Sequence, residues 1–453
     1  FAVIFPSGAR DAVLKFWQHF GFVLSSRWSE DVLKQDDQEE EEKGGKLSST
    51  NTNSSQSFPF VEPCDVRNHT LPIDFVASTI SAASDYSVHG EEVEEEEAAA
   101  AAAPQRQHII QAAAENPPLS CAEEAKCVIR HRLADAAGAD DASDVYLYPS
   151  GMAAISSGLL AAQQSFPNCK SIQLGFPYLD VYKIQTVWGP GAHYISDLSP
   201  TWLQQVEELL KEQQISSVVL EYPGNPLLQV PDLLALSGLL KKHKVPLLVD
   251  DTIGSSANYN LLDHVDVVMT SLTKWFSGTG DVMAGSMVLN SNSVHYEKFK
   301  AFTETEYEDM LYYKDAIALE INSRTYIPRM ERVNENTKPL VDFMRSHPKI
   351  EKVWYPDSIE DPAIIKRGHG GLFSFVLKSR EDSMEFYKNL RVCKGPSLGT
   401  NFTIACPYTL LAHYDELEWA EGLGIPRDLV RVSTGLEDAD DLIKRFGDAL
   451  NTV

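Results

Sequence analysis

The stretch from Val249 to Gly285 constrains this chain more than any other. It holds two short β-branched runs, Val249-Asp250-Asp251-Thr252 and Val265 to Lys274, and closes on Gly278-Thr279-Gly280-Asp281. Each run ends in polar residues, as a buried strand does where it leaves its sheet. A carboxylate at one strand end and a lysine close to the next is what pyridoxal phosphate needs. The amine forms a Schiff base, and the carboxylate pairs with the protonated pyridine nitrogen. Ser271 and Thr273, two apart on an extended backbone, point the same way and can reach one phosphate. Taken alone, the motif is weak. A lysine at a strand end is more often a solvated surface residue, and Asp250 reads equally as a helix N-cap.

Further pieces follow the same grammar. Ser120-Cys121-Ala122-Glu123 reads as a capping box opening a helix that runs to about Ala134. Asp144 to Tyr148 is a strand that opens onto Pro149-Ser150-Gly151-Met152-Ala153, a small-residue turn into a helix. Glycine ahead of a helix N-terminus makes a ready phosphate site; a plain turn is the alternative. Ser171 to Leu174 is a strand, followed by Tyr178 and Tyr182, where a loop could lay a ring over a flat cofactor or simply pack. Ser216 to Glu221 runs into Tyr222-Pro223-Gly224-Asn225-Pro226; Pro231 to His243 is helical, and Pro246 to Val249 is the next strand. Such alternation means βαβ units and a parallel sheet with helices on both faces. Ligands of these sheets sit beyond the carboxyl ends of the strands. Gly151, Asn225, Asp250, Ser271 and Lys274 all fall there.

The 453 residues suffice for two or three domains. A long helical pattern from about Lys314 to Ser346 bridges to a smaller C-terminal domain. That domain carries strands at Gly370 to Phe375 and Leu429 to Ser433, and a loop at Pro396 to Thr400. The expected division is an extension over 1–119, a cofactor-binding domain over 120–330 and a small domain over 331–453. Arg431, inside an apolar strand, must face a partner. A substrate carboxylate or an internal Asp or Glu would serve.

Residues 1–35 look folded, with Phe16, Trp17, Phe20 and Phe22 clustered; 36–58 read as a flexible connector. Glu91 to Ala103, acidic and then alanine-rich, reads as a solvated helix or as disorder. The net charge of −26 argues against a nucleic-acid partner. No apolar run approaches the ~20 residues of a membrane span. Phe1 to Pro6 lacks the features of a secretory signal, and a cytoplasmic location is expected. The chain does not begin with methionine, so upstream residues are not accounted for. Six cysteines without metal spacing suggest free, mostly buried thiols. Twelve histidines include no metal-binding pair, and no metal is expected.

With Ser150-Gly151-Met152, Tyr178, Glu221 to Pro226, Asp250, Ser271 to Lys274, Ser397-Leu398-Gly399 and Leu429 to Asp438 in this order, the chain resembles the Cys/Met-metabolism family of pyridoxal-phosphate enzymes over residues 120–453. A narrower likeness is to its fungal cystathionine γ-synthase branch, carried by Phe5-Pro6-Ser7, Leu24 to Arg27, Arg329 to Asn336 and Lys394 to Tyr414. The resemblance implies an α/β fold: an aspartate aminotransferase-like large domain with a mostly parallel sheet, and a smaller α+β C-terminal domain. It also implies homodimers or homotetramers that complete each other's sites. Lys274 would be the Schiff-base lysine and proton shuttle, and Asp250 the partner of the pyridine nitrogen. Tyr178 would stack on the ring and assist leaving-group loss. Ser150, Gly151, Met152, Ser271 and Thr273 would hold the phosphate, Asn225 would lie near the phenolic oxygen, and Ser397 and Arg431 would bind the substrate α-carboxylate.

The implied activity is γ-substitution on an O-acyl-L-homoserine by a thiol such as L-cysteine, as in methionine biosynthesis. A carbon or nitrogen nucleophile, a lyase reaction and a non-catalytic paralogue stand as alternatives. There are departures from the family pattern. Aligning Pro118-Leu119-Ser120 puts Ala113 and Glu115 where the family offers a Tyr-x-Arg pair to the neighbouring subunit's phosphate, with Arg106 a shifted substitute. Asp251 stands where asparagine is common.

Overall fold

The computed structural model describes residues 119–453. The readings made on residues 1–118, among them the connector, the acidic and alanine-rich run, Ala113, Glu115 and Arg106, lie outside the described residues.

Seven strands form the first sheet: β1 (Val145–Tyr148), β2 (Lys170–Leu174), β3 (Ala192–Ile195), β4 (Ile215–Glu221), β5 (Leu247–Asp250), β6 (Val267–Ser271) and β7 (Gly285–Leu289). Their order is β1-β7-β6-β5-β4-β2-β3, parallel from β6 through β5, β4 and β2 to β3. Only β7 is reversed against its neighbours, pairing antiparallel with both β1 and β6. The central strands are rich in Val, Leu and Ile and turn polar at their carboxyl ends, as strands covered on both faces require. Alternate residues divide between two cores, as a period of two demands. Val218, Leu220, Leu247, Val249 and Val268 pack with helix residues Ile129, Leu133, Val206, Leu236 and Leu240. Val219, Leu248, Val267 and Met269 pack with Ala153, Ala154, Ala161 and Ala162 of helix Gly151–Ser165.

The second sheet has the order β10-β11-β12-β9-β8, with β8 (Ile350–Trp354), β9 (Leu372–Leu377), β10 (Cys393–Lys394), β11 (Ile404–Pro407) and β12 (Val430–Ser433). It is antiparallel apart from the short β10–β11 pair. Its core stacks Phe373, Phe375, Phe386 and Phe446. The α/β architecture expected from the sequence is borne out.

The details differ in informative ways. The helical pattern from Lys314 to Ser346 is two helices, Tyr313–Asn322 and Tyr326–Ser346, separated by a 3-10 turn at Ser323–Thr325. Side chains make the break. Arg132 donates to Glu320 O at 3.0 Å and to Ser323 Oγ at 2.6 Å, and Ser323 Oγ donates to Glu320 O at 3.1 Å. These bonds draw off the carbonyl that a continuous helix would use. The first described helix, Leu119–Ala137, already contains Ser120, so Ser120 does not cap it, and it runs past Ala134. Helix Leu233–His243 begins after Pro231 because Asp232 caps it, accepting from Ala235 N–H at 2.9 Å. Of the five described cysteines, only Cys406 is buried, while Cys121 and Cys127 are exposed. Cysteine count and spacing say nothing about which helix face each occupies. Among the described residues no helix is long and apolar enough to cross a membrane, and no metal-binding cluster of His, Cys, Asp or Glu occurs.

Candidate active site

The carboxyl ends of β4, β5 and β6 open into a cavity of about 570 Å³, closed on its far side by residues of the second sheet and its loops. All eleven residues nominated from the sequence line it: Ser150, Gly151, Met152, Tyr178, Asn225, Asp250, Ser271, Thr273, Lys274, Ser397 and Arg431.

One end is a cradle. Ser150 is extended and its Oγ accepts from Ala153 N–H at 3.1 Å, which caps helix Gly151–Ser165. The first N–H groups of a helix have no partner within it and carry the positive end of its dipole. Gly151 is required by contact: a Cβ there would lie 2.5 Å from Ser271 Cβ. A Cβ on Gly285 would lie 2.1 Å from Ser150 O. The glycines let the helix start settle directly on the ends of β6 and β7, beside the hydroxyls of Ser271 and Thr273. Amide donors, hydroxyls and a helix dipole together fit a phosphate.

The floor is acidic. Asp250 accepts from Thr252 N–H at 2.9 Å, an Asx turn and not a helix cap. Burial raises its pKa to about 6. Glu221 lies abreast of it, in register across the β4–β5 pair. Burial, and then the charge of Asp250, push Glu221 up to about 8. Glu221 also accepts the N–H groups of Tyr178 and, at 3.2 Å, of Asn225. Adjacent half-buried carboxylates at one sheet edge suit a flat ring with a protonated nitrogen. Asp251 does not line the cavity. It is fully buried elsewhere and accepts from the hydroxyls of Ser256 and Thr270.

Between floor and far wall sits Lys274, whose Nζ donates to Ser397 Oγ at 3.1 Å. Burial, aided by the Arg431 charge, lowers its pKa to about 8. Arg431 is buried on β12 and finds no carboxylate. Its Nη1 donates to Asn225 Oδ1 at 2.9 Å, its Nη2 to Pro396 O at 2.5 Å, and the guanidinium lies 4.5 Å over the Tyr408 ring. The internal Asp or Glu that the sequence also allowed is therefore not its hydrogen-bond partner. Neutral acceptors leave its charge available to an anion in the cavity. Tyr178 stands half-exposed at the mouth; burial of its hydroxyl and the nearby Asp180 and Glu221 raise its pKa. Tyr182 packs instead on Tyr194, with ring centroids 5.1 Å apart.

Sequence reasoning missed Glu221 and Tyr408 as members of the site. The first carried a signal, a glutamate ending an apolar strand beside the one that ends in Asp250. Tyr408, which takes a hydrogen bond from Asn225 Nδ2 at 2.8 Å, carried none. It reaches the cavity only through the pairing of β11 with β12.

A parallel α/β sheet whose carboxyl edge brings together a lysine of lowered pKa, a half-buried aspartate and a phosphate cradle defines a pyridoxal-phosphate enzyme scaffold. Residues 121–451 match the model of the "Cys/Met metabolism PLP-dependent enzyme" family, and the chain belongs to it. A cystathionine γ-synthase of Neurospora crassa is 41% identical over 320 residues, covering 68% of this chain and 52% of that protein. The cystathionine γ-synthase-like enzyme iboG1 of Amanita muscaria is 34% identical over 485 residues, covering 99% of this chain and 76% of that one. The chain thus spans about half the length of the Neurospora relative. In fold it is similar to cystathionine γ-lyase from Lactobacillus plantarum, solved with L-serine. The TM-score is 0.59 at 23% identity, covering 68% of this chain and 82% of that one.

Proposed function

We propose that this protein catalyses γ-substitution on an O-acyl-L-homoserine, with a thiol such as L-cysteine as the nucleophile. The observation that carries the reading is the placement of Lys274. Its amine sits between the acidic floor and the Ser397–Arg431 wall, 3.1 Å from Ser397 Oγ. Gly151, Met152, Ser150, Ser271 and Thr273 would hold the cofactor phosphate, Asp250 its ring nitrogen and Asn225 its phenolic side, with Tyr178 over the ring. Bound there, pyridoxal phosphate supplies an electron sink for negative charge developing at the substrate Cα.

The chain's own residues do the rest. Arg431 and Ser397 anchor the α-carboxylate, which fixes Cα and Cβ beside Lys274 Nζ. Lys274 takes the Cα proton, gives it up to the electron sink and, neutral again, takes one from Cβ. The acyl group leaves Cγ as a carboxylate, with Tyr178 placed to assist. The thiol sulfur bonds to Cγ as its proton passes to a base, and Lys274 returns protons to Cβ and Cα. Proton movement by one amine requires that it be neutral near working pH, and burial meets that need. A homodimer or homotetramer is proposed with it. Ala113 and Glu115, at the positions aligned with a neighbour's phosphate ligands, favour one second reading: the same steps ending in addition of a carbon or nitrogen nucleophile.

The test is an absorbance spectrum of purified protein with pyridoxal phosphate, followed by O-acetyl-L-homoserine and a panel of acceptors. A visible band that shifts on adding the ester, with fastest turnover on cysteine, supports the first reading. A carbon or nitrogen acceptor that outruns cysteine moves the assignment to the second. Release of 2-oxobutanoate without an acceptor would make the protein a lyase, and no band at all would overturn both readings.

The lysine also predicts a pH dependence. A base is neutral above its pKa, so a group at about 8 gains neutral fraction by about tenfold from pH 7 to 9 and then levels off. An unperturbed lysine would rise about 100-fold over that range and keep rising. Cofactor uptake by the apoprotein, followed by stopped-flow absorbance, is expected to show the first profile.

A further inference from the structure

Arg329 occupies the first turn of helix Tyr326–Ser346 and is 8% exposed. Its fork is saturated. Nη1 donates to Trp275 O at 3.0 Å and Asn401 Oδ1 at 3.1 Å; Nη2 donates to Phe276 O at 2.8 Å and Asn322 O at 3.3 Å; Nε donates to Thr325 Oγ1 at 3.2 Å. None of these acceptors is a carboxylate. Burial accordingly lowers the guanidinium's pKa to about 10. A buried cation held only by neutral oxygens has no counter-charge to offset its desolvation, which makes it a poor way to stabilise a fold. The location of the acceptors suggests another use.

Trp275 and Phe276 directly follow Lys274. Asn401 ends the loop that begins at Ser397. The two segments are in van der Waals contact beneath the cavity. Gly399 has φ +75°, and a Cβ there would lie 2.6 Å from Trp275 N and 2.8 Å from Lys274 Cβ. Asn401 N–H donates to Gly278 O at 2.6 Å. Gly278 has φ +76°, and a Cβ there would lie 2.1 Å from Arg329 Nη1. The helix break contributes the remaining hold. Asn322, the last residue before the 3-10 turn, gives its carbonyl to Arg329 and its Nδ2 to Ser277, Thr279 and Asp281 Oδ1 at 3.2, 2.7 and 2.9 Å. The segment behind the lysine is thus tied on one side to the helix junction and on the other to the substrate-side loop.

We propose that Arg329 is a positioning residue for Lys274, bracing the segment that follows the lysine against the Ser397–Asn401 loop and so setting the separation of Nζ from Ser397 Oγ. The inference rests on the reading of Lys274 as the cofactor lysine. It gives the break at Ser323–Thr325 a purpose. A continuous helix would keep the Asn322 carbonyl for itself, and that carbonyl is one of the acceptors that hold Arg329.

The test uses holoenzyme carrying Arg329→Met, Arg329→Lys or Asn401→Ala. Four quantities are read: the pH midpoint of the visible band, kcat and KM with O-acetyl-L-homoserine and L-cysteine, and the melting temperature of the apoprotein. Arg329→Met should keep the band, because Lys274 and the phosphate cradle remain. Its pH midpoint should move, and kcat should fall on the order of 10²-fold, the scale of an ångström of misplacement. KM should change less than kcat, by under about threefold, since the charged anchor Arg431 keeps its Asn225 partner even when Ser397 shifts. Arg329→Lys should recover part of kcat, and Asn401→Ala, which removes one of the five bonds, should fall between it and wild type. A variant that melts lower but keeps the wild-type midpoint and kcat overturns the proposal and leaves Arg329 a scaffold residue. If Arg329→Met does not fold, Asn401→Ala decides by the same two readings. The midpoint requires neither the ester nor an acceptor. A normal band with no turnover of the ester therefore defeats only the reaction proposed above, and the midpoint still decides this inference.

Discussion

Lys274→Ala should abolish the visible band of lysine-linked cofactor and lower turnover by about 10⁴-fold, the upper end of what one positioned acid–base group contributes. A depressed pKa does not by itself single out this lysine. Burial lowers Lys394 to about 8 as well. Geometry separates the two. Lys394 gives its amine to Tyr387 O and Leu390 O, both at 2.6 Å, sits 4.3 Å over the Tyr387 ring, and does not line the cavity. It is a structural amine that caps carbonyls at the end of helix Asp382–Asn389. Lys274 has a single hydroxyl partner, and its amine faces open volume. Borohydride reduction followed by peptide mapping reads the difference directly. Wild type and Lys394→Met should both label on the peptide containing Lys274, and Lys274→Ala should not label. Label that persists in Lys274→Ala, or moves to Lys394, would sink the assignment.

Much of this site was legible because its parts are local and chemically unusual. A lysine three residues past a β-branched strand, small residues ahead of a helix, and an arginine buried in a strand each break a local rule. Such breaks cluster where function outweighs stability. Topology then did the gathering: once strands and helices alternate, every strand end falls on one edge. What stayed hidden depends on register and on side-chain competition. Glu221 acquires its raised pKa from burial and from the charge of Asp250, which the β4–β5 register sets beside it. The helix break at Ser323 arises from Arg132, nearly two hundred residues upstream, and no periodicity analysis sees such a contact. Tyr182 and Tyr178, alike in sequence, diverge because the short helix Leu179–Lys183 turns one ring toward Tyr194 and leaves the other at the cavity mouth.

Arg431→Met should lower kcat/KM for the amino-acid substrate by about 10³-fold, since two charge-assisted hydrogen bonds to a carboxylate contribute roughly 1.5–3 kcal/mol each. The apoprotein should also melt lower. Asn225 Oδ1 and Pro396 O would lose their donor inside the protein, at about 1–3 kcal/mol for each buried acceptor left unpaired. Loss of stability and loss of activity could therefore be confused, and the substrate separates them. An amine lacking the carboxylate makes no use of the Arg431 charge. Its exchange of the carbon-bound proton with solvent should be nearly equal in wild type and variant, whereas exchange with the intact amino acid should differ by the full factor. Equal losses on both substrates would mean that Arg431 only braces Asn225 and the Tyr408 ring, and the carboxylate site would have to be sought elsewhere. Arg431→Lys refines the reading. It keeps the charge but not the fork, so it should restore part of the binding and little of the orientation, with kcat lagging KM.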